Sequence, residues 1–175
     1  MTTRPRLLDL DAFLQLPEEK PYLELIDGEV CQKPVGKTKH SVAQVRLVDL
    51  LLHHPATAGG LPLTELGMHY WSEQVPRNHR VPDVAYYRRG RRVAHPYPDA
   101  APDLAVEILS EGQSRQAMQE RLAFLRDHGV SATLLVDPEH ETVEATEGGR
   151  MWLASRDDQV RLETLGGFSF TQLAL

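Results

Sequence analysis

The chain has 175 residues, 41% hydrophobic and 25% charged, enough for one domain with a single core. Its net charge of −6 and pI near 5.7 exclude a broadly basic nucleic-acid-coating protein, while allowing an acidic metal site beside a local basic patch. One cysteine, Cys31, excludes an internal disulfide, and neither a signal-peptide core nor a run of ~20 apolar residues is seen, so a cytoplasmic protein without a membrane segment is expected.

Leu8 to Leu16 alternates apolar and acidic residues up to Pro17 and predicts a short helix. Tyr22 to Ile26, then Asp27-Gly28, then Glu29 to Gln32 predicts a hairpin, because Asp-Gly suits a two-residue type I′ turn. Glu24 lies on the strand face opposite Leu23 and Leu25; a solvent-facing residue and a third acid for a site both fit that pattern. Thr38 suits an N-cap for a helix from Lys39 to about His53, with Val42, Val45, Val48, Leu51 and Leu52 as its buried stripe. His40 falls in its first turn. Leu61 to Leu66 and Met68 to Trp71 read as strands. His53, His54, His69 and His79 lack zinc-ligand spacing.

The most telling stretches follow. Val81-Pro82-Asp83-Val84-Ala85-Tyr86 places an acid at the start of an apolar run, just after a proline suited to a strand's first position. Asp103 to Ser110 is apolar on both strand faces, with Glu107 the one charge inside the run. A carboxylate there must be paired, neutralised or bound to a cation, because an isolated buried charge is too costly. Asp103 and Glu107 are separated by ~13 Å at the usual strand rise and cannot easily share an ion. Asp83, on a neighbouring strand, can approach Glu107, so the two could converge on one hard divalent cation, or Glu107 could be held by an arginine or by backbone donors. Between the two strands, Arg88, Arg89, Arg91 and Arg92 form a basic loop that suits phosphates or plain solvent.

Ser114 to His128 predicts a second helix, closed by Gly129, with Met118, Leu122 and Leu125 as its stripe and Arg121 on the stripe's border. Ala132 to Pro138 reads as a buried strand ending in a turn. Thr142 to Thr146, Met151 to Ala154 and Val160 to Leu162 read as a meander finishing the sheet, before a Phe168-Ser169-Phe170 tail.

In this order and spacing, Tyr22 to Val30, His40, Val81 to Val84, Pro102 to Ser110, Gly129-Val130 and Leu134 to Pro138 resemble a bacterial family described as putative restriction endonucleases, within the PD-(D/E)XK nuclease superfamily. The likeness runs from about Leu8 to the C-terminus. It implies one α/β (α+β) domain over 1–175, restriction-endonuclease-like, with a mixed β-sheet flanked by helices. It further implies Glu24, Asp83 and Glu107 as motif residues and Mg²⁺ (or Mn²⁺) held by Asp83, Glu107 and the carbonyl of Ile108. DNA is the implied substrate, approached by Arg88, Arg89, Arg91, Arg92 and His40, and a homodimer is the implied way of cutting two strands.

The chain also departs from that pattern. The motif lysine position two residues after Glu107 is Leu109, and the alternative lysine position on the following helix is Arg121, with Leu125 where a tyrosine is common and Ala117 where an acid is common. Arginine keeps its charge at any physiological pH and cannot act as a base. Three readings follow: a divergent Mg²⁺-dependent DNA endonuclease with Arg121 in the catalytic set, a catalytically silent nuclease-fold module that binds nucleic acid or a protein, and a plain structural domain whose acids are merely paired.

Overall fold

The computed structural model describes residues 7–69 and 78–173. In chain order the elements are α1 (Leu10–Leu14), β1 (Leu23–Ile26), β2 (Glu29–Gln32), α2 (Thr38–His53), β3 (Leu61–Thr64), β4 (Met68–His69), β5 (His79–Arg80), β6 (Val84–Tyr87), β7 (Leu104–Ile108), α3 (Arg115–Asp127), β8 (Ala132–Asp137), β9 (Thr142–Glu147), β10 (Arg150–Ser155), β11 (Val160–Leu162) and β12 (Gly166–Phe168). Six of the strands form a mixed sheet in the order β10-β9-β8-β7-β6-β3, parallel at β7–β8 and antiparallel elsewhere. The parallel pair requires a crossover, and α3 supplies it.

The sheet's two faces bury different helices, as strand alternation demands. Val84, Tyr86, Leu104, Val106, Ile108, Leu134 and Val136 pack with Ala43, Leu47 and Leu51 of α2. Ala85, Tyr87, Ala105 and Leu135 pack with Leu122 and Leu125 of α3. Glu107 shares the face of Ala105 and therefore points toward α3. This is the mixed sheet between helices that the sequence led us to expect.

Local signals were read well where they are chemical. Asp27 and Gly28 have φ of 51° and 90°, the two left-handed residues of the expected turn. Ser114 caps α3 by accepting from the Ala117 amide at 3.3 Å, and Gly129, at φ 98°, ends it. Other expectations need correction. Thr38 is the first residue of α2 and not its cap; Lys37 holds the cap position without a side-chain bond. The α2 stripe is turned: His40, Ala43, Leu47 and Leu51 are buried, while Val45 and Leu52 are 67% and 50% exposed. Both sets have helical spacing, and the small Ala43 lets the helix approach the sheet on its own side.

Val160 to Leu162 does not finish the large sheet but pairs with Gly166–Phe168 as a separate hairpin. Only the Met68–His69 part of the expected Met68 to Trp71 strand is seen, because Tyr70 and Trp71 lie outside the described residues. The N-terminal hairpin also stays out of the large sheet. It builds a second sheet, β2-β1-β5-β4, that sits over the site by way of β5.

His79 of β5 is buried against Phe13 and Tyr97, with ring centroids 5.1 and 5.9 Å away, and its Nδ1 has no partner among the described residues. Burial, with His69 beside it, pushes its pKa down to about 4. The unfolded chain takes up this proton near pH 6.5 and the folded chain resists until about 4. Stability is therefore fully present above pH 6.5 and falls as the pH drops toward 4. We expect the natural protein to lose up to about 3 kcal/mol more than a His79→Phe variant across that window. Parallel urea titrations at pH 7 and pH 4.5 check it, and equal losses in the two proteins would exclude a neutral buried His79.

Candidate metal centre

Glu24, Asp83 and Glu107 are 3%, 2% and 2% exposed, so each buried carboxylate requires a stated partner. Glu24 and Glu107 share one. Arg121, from the middle of α3, donates both terminal nitrogens to Glu24, Nε to Glu107 Oε1, and a further bond to the Val81 carbonyl at 2.9 Å. The guanidinium fork is the side chain that can satisfy two carboxylates at once. The Val81 amide completes Glu24 at 2.6 Å. Thus the β1 hairpin, outside the large sheet, still delivers Glu24 to the end of β7.

The consequences for ionisation differ. Burial opposes the Glu24 charge, but Arg121 overrides it and holds the carboxyl below its usual range. Burial of Arg121 is likewise outweighed by Glu107 and Glu24, which raise its pKa well above the ordinary value. For Glu107, burial, with Asp83 adding to it, pushes the pKa up to about 7 although Arg121 and Lys33 pull the other way.

Asp83, just ahead of β6, anchors the other half of the centre. Its Oδ2 accepts from the Ile108 amide at 2.6 Å, tying it to the end of β7. Its buried Oδ1 has no hydrogen bond of proper geometry among the described residues; the Lys33 ammonium lies 2.7 Å from it and His40 Nε2 3.5 Å. Glu65, which follows β3, is brought opposite by the antiparallel β3–β6 register, where Thr64 faces Val84. Gln44 of α2 holds Glu65 Oε1 at 3.1 Å and the Asp83 carbonyl at 2.8 Å. Lys33 also reaches Glu65 Oε2 at 2.6 Å. Burial would lower the Lys33 pKa, but Asp83, Glu107 and Glu65 outweigh it and raise it.

His40 is 8% exposed and turned into this cluster. Its Nδ1 is 2.9 Å from the Ile108 carbonyl and 3.1 Å from Ser110 Oγ. A carbonyl only accepts, so Nδ1 carries a proton, and Nε2 faces Asp83 Oδ1. Gly36 makes room for that ring: a Cβ there would lie 2.5 Å from His40 Cδ2.

Ligand atoms of His40, Glu65 and Asp83 all lie within 4.8 Å of one another. Contraction by about half an ångström would bring them within the span of an ion with bonds of ~2.1 Å. The donor set fits a divalent cation: two carboxylates and an imidazole fixed through its other nitrogen, as metal-binding histidines usually are. Glu24 and Glu107 meet at Arg121, while Asp83, paired with Glu107 from the sequence, groups its ligand atom with those of His40 and Glu65. Ile108 contributes through both its amide and its carbonyl.

Lys33, Gln44 and Glu65 escaped sequence reading. Lys33-Pro34 and Thr64-Glu65 look like surface strand ends, and only the cross-strand register and the α2 packing reveal them. A cavity of about 390 Å³ opens onto the cluster beside Lys20, Tyr22 and Lys33, and a second of about 480 Å³ reaches His40 from the side of Lys37, Lys39 and Ser110.

The Arg88–Arg92 loop lies at the opposite end of β6, ~17 Å from Asp83 at the usual strand rise. Asp103 sits with it, accepting from the Arg88 amide at 2.8 Å and lying 4.0 and 3.7 Å from the Arg88 and Arg91 guanidiniums. Asp103 thus belongs to the arginine loop's surroundings.

The family described as Uma2, "Putative restriction endonuclease", matches residues 10–173. A crystal structure titled as a putative nuclease of the DUF820 group, from Anabaena variabilis, superimposes with a TM-score of 0.79 at 26% identity, covering 95% of this chain and 97% of that one. No curated protein matches.

Removing Arg121 should strand two buried carboxylates. We expect Arg121→Met to cost about 3–5 kcal/mol of stability, with a large part recovered in Arg121→Met/Glu24→Gln. Urea denaturation at pH 7.5 measures both, and a cost below about 1 kcal/mol would mean the triad is not buried as described.

Proposed function

Because the chain belongs to the Uma2 family of putative restriction endonucleases, we propose that it is a divalent-metal-dependent nuclease hydrolysing phosphodiester bonds of DNA. The observation that carries this reading is the convergence of His40, Glu65 and Asp83, whose ligand atoms all lie within 4.8 Å of one another. Asp83, His40 and Glu65 would hold the ion, and Glu107 would join through the oxygen that Arg121 does not take. Mn²⁺ and Mg²⁺ both suit the carboxylates, and the imidazole favours Mn²⁺. When bound, the ion supplies charge for a phosphoryl oxygen and lowers the pKa of an attacking water.

The chain's own residues position the rest. Arg121 fixes Glu107 and Glu24 and is spent on that task, so it is a positioning residue here. Ile108 orients Asp83 through its amide and His40 through its carbonyl. Lys37 and Lys39, exposed at the rim of the larger cavity and ion-paired with Glu111 and Glu139 at 2.7 Å, are available to exchange those partners for phosphates. The arginine loop would meet the DNA backbone away from the centre. A second reading, the silent module, draws on one observation: Arg121 and Lys33 already neutralise carboxylates that an active centre would offer to metal.

Calorimetric titration with Mn²⁺ and a supercoiled-plasmid nicking assay test the proposal together. Asp83→Asn and His40→Gln should each bind Mn²⁺ at least ~10-fold more weakly, and both should lose nicking. Metal binding by the natural protein without any nicking would favour the silent module. Nicking that survives Asp83→Asn would remove the centre from the mechanism.

A separate expectation concerns the loop. Arg88 and Arg91 share Asp103, so replacing all four arginines with serine should remove about two phosphate contacts. The slope of log affinity against log salt should flatten by ~1.8. Fluorescence anisotropy with a labelled duplex at several salt concentrations measures it, and an unchanged slope makes the loop solvated surface.

A further inference from the structure

The oxygens that a divalent ion needs are already in use. Asp83 Oδ2 is committed to the Ile108 amide, and Glu65 Oε1 to Gln44. That leaves Asp83 Oδ1 and Glu65 Oε2, and one ammonium, that of Lys33, touches both, at 2.7 and 2.6 Å. An incoming ion and Lys33 therefore compete for the same pair of oxygens.

The competition is built to be reversible. The Lys33 backbone is held by its amide donating to the Tyr22 carbonyl at 2.8 Å, so the residue cannot leave as a whole. Its four-carbon stem can turn, and the 390 Å³ cavity beside Lys20, Tyr22 and Gln44 gives the head a polar place to go. An ammonium also resembles a metal ion here in the way that matters, as a compact point charge with rotatable donors.

We propose that Lys33 is a built-in counter-ion occupying the cation position between Asp83 and Glu65, which a divalent ion enters only by displacing it. The proposal rests on the metal-centre reading above and adds to it a named competitor within the chain. In the metal-free protein Lys33 keeps the buried carboxylates neutralised, and the same contact weakens the apparent metal affinity.

The test is Mn²⁺ binding without DNA, by calorimetry and by electron paramagnetic resonance of free Mn²⁺, for the natural protein, Lys33→Gln and Lys33→Arg. Lys33→Gln should bind at least ~10-fold more tightly than the natural protein, because the unbalanced carboxylates then lack a resident cation. Lys33→Arg, which keeps the charge, should bind no more tightly. Binding by Lys33→Gln alone, with none by the natural protein, would support the proposal in its strongest form.

Binding by the natural protein that is equalled or exceeded by neither variant would overturn the counter-ion role and leave the metal centre standing. Absence of binding in all three proteins would overturn both. Should Lys33→Gln be unfolded in chelator, recovery of its folded circular dichroism on adding Mn²⁺ supports the proposal, and failure to recover overturns it.

Discussion

Charge neutralisation inside a mostly apolar sheet end governs this molecule. The carboxylates of Glu24, Glu65, Asp83 and Glu107 are ion-paired with Lys33 and Arg121, and the buried Arg80 adds its charge near Glu24. Carboxylates outnumber the cations paired with them, in surroundings where a single unpaired charge is costly. Burial, with Asp83 adding to it, raises the pKa of Glu107, so that a proton, the smallest cation available, can offset part of the excess. A divalent ion is the other way to balance it. On the proposed metal-centre reading, the affinity for metal and the stability of the metal-free fold are set by the same accounting.

The architecture divides that accounting between the sheet's two faces. From one side, α3 contributes Arg121 and closes off Glu24 and Glu107 with a planar fork that leaves little freedom. From the other, α2 contributes His40 and Gln44, which orient donors and leave Asp83 Oδ1 and Glu65 Oε2 to Lys33. On the proposal above, the first half is fixed and the second exchangeable. Strand alternation produces this split: Glu107 points toward α3, while the neighbouring Ile108 side chain packs with α2 and its backbone ties Asp83 to His40.

The departure at Arg121 takes on a specific physical meaning in this setting. A lysine there could neutralise Glu24 or Glu107 as a point charge, but it could not fork between them while also donating to the Val81 carbonyl. The arginine therefore binds the N-terminal hairpin to the sheet end, and the nearest cation to the exchangeable half is Lys33, contributed by the end of that same hairpin. The hairpin's packing over the sheet, through β5, is what brings Glu24 and Lys33 into one site.

Much of this was legible in the residues. Glu107 in a run apolar on both faces had to be buried and partnered, and Asp83 after a proline at a strand start could approach it. The Asp-Gly turn, the Ser114 cap and the Gly129 stop are local, so short-range chemistry alone specified them. What the sequence could not determine was which distant groups meet those acids. Glu24 fitted water as well as a core, because its fate depends on a hairpin that joins no strand of the large sheet. Lys33, Gln44 and Glu65 look like ordinary polar surface positions, and the α2 stripe could be drawn on either of two helical faces. Those choices were made by tertiary packing, where burying apolar faces sets register and helix rotation, and polar groups must then find partners wherever that register leaves them.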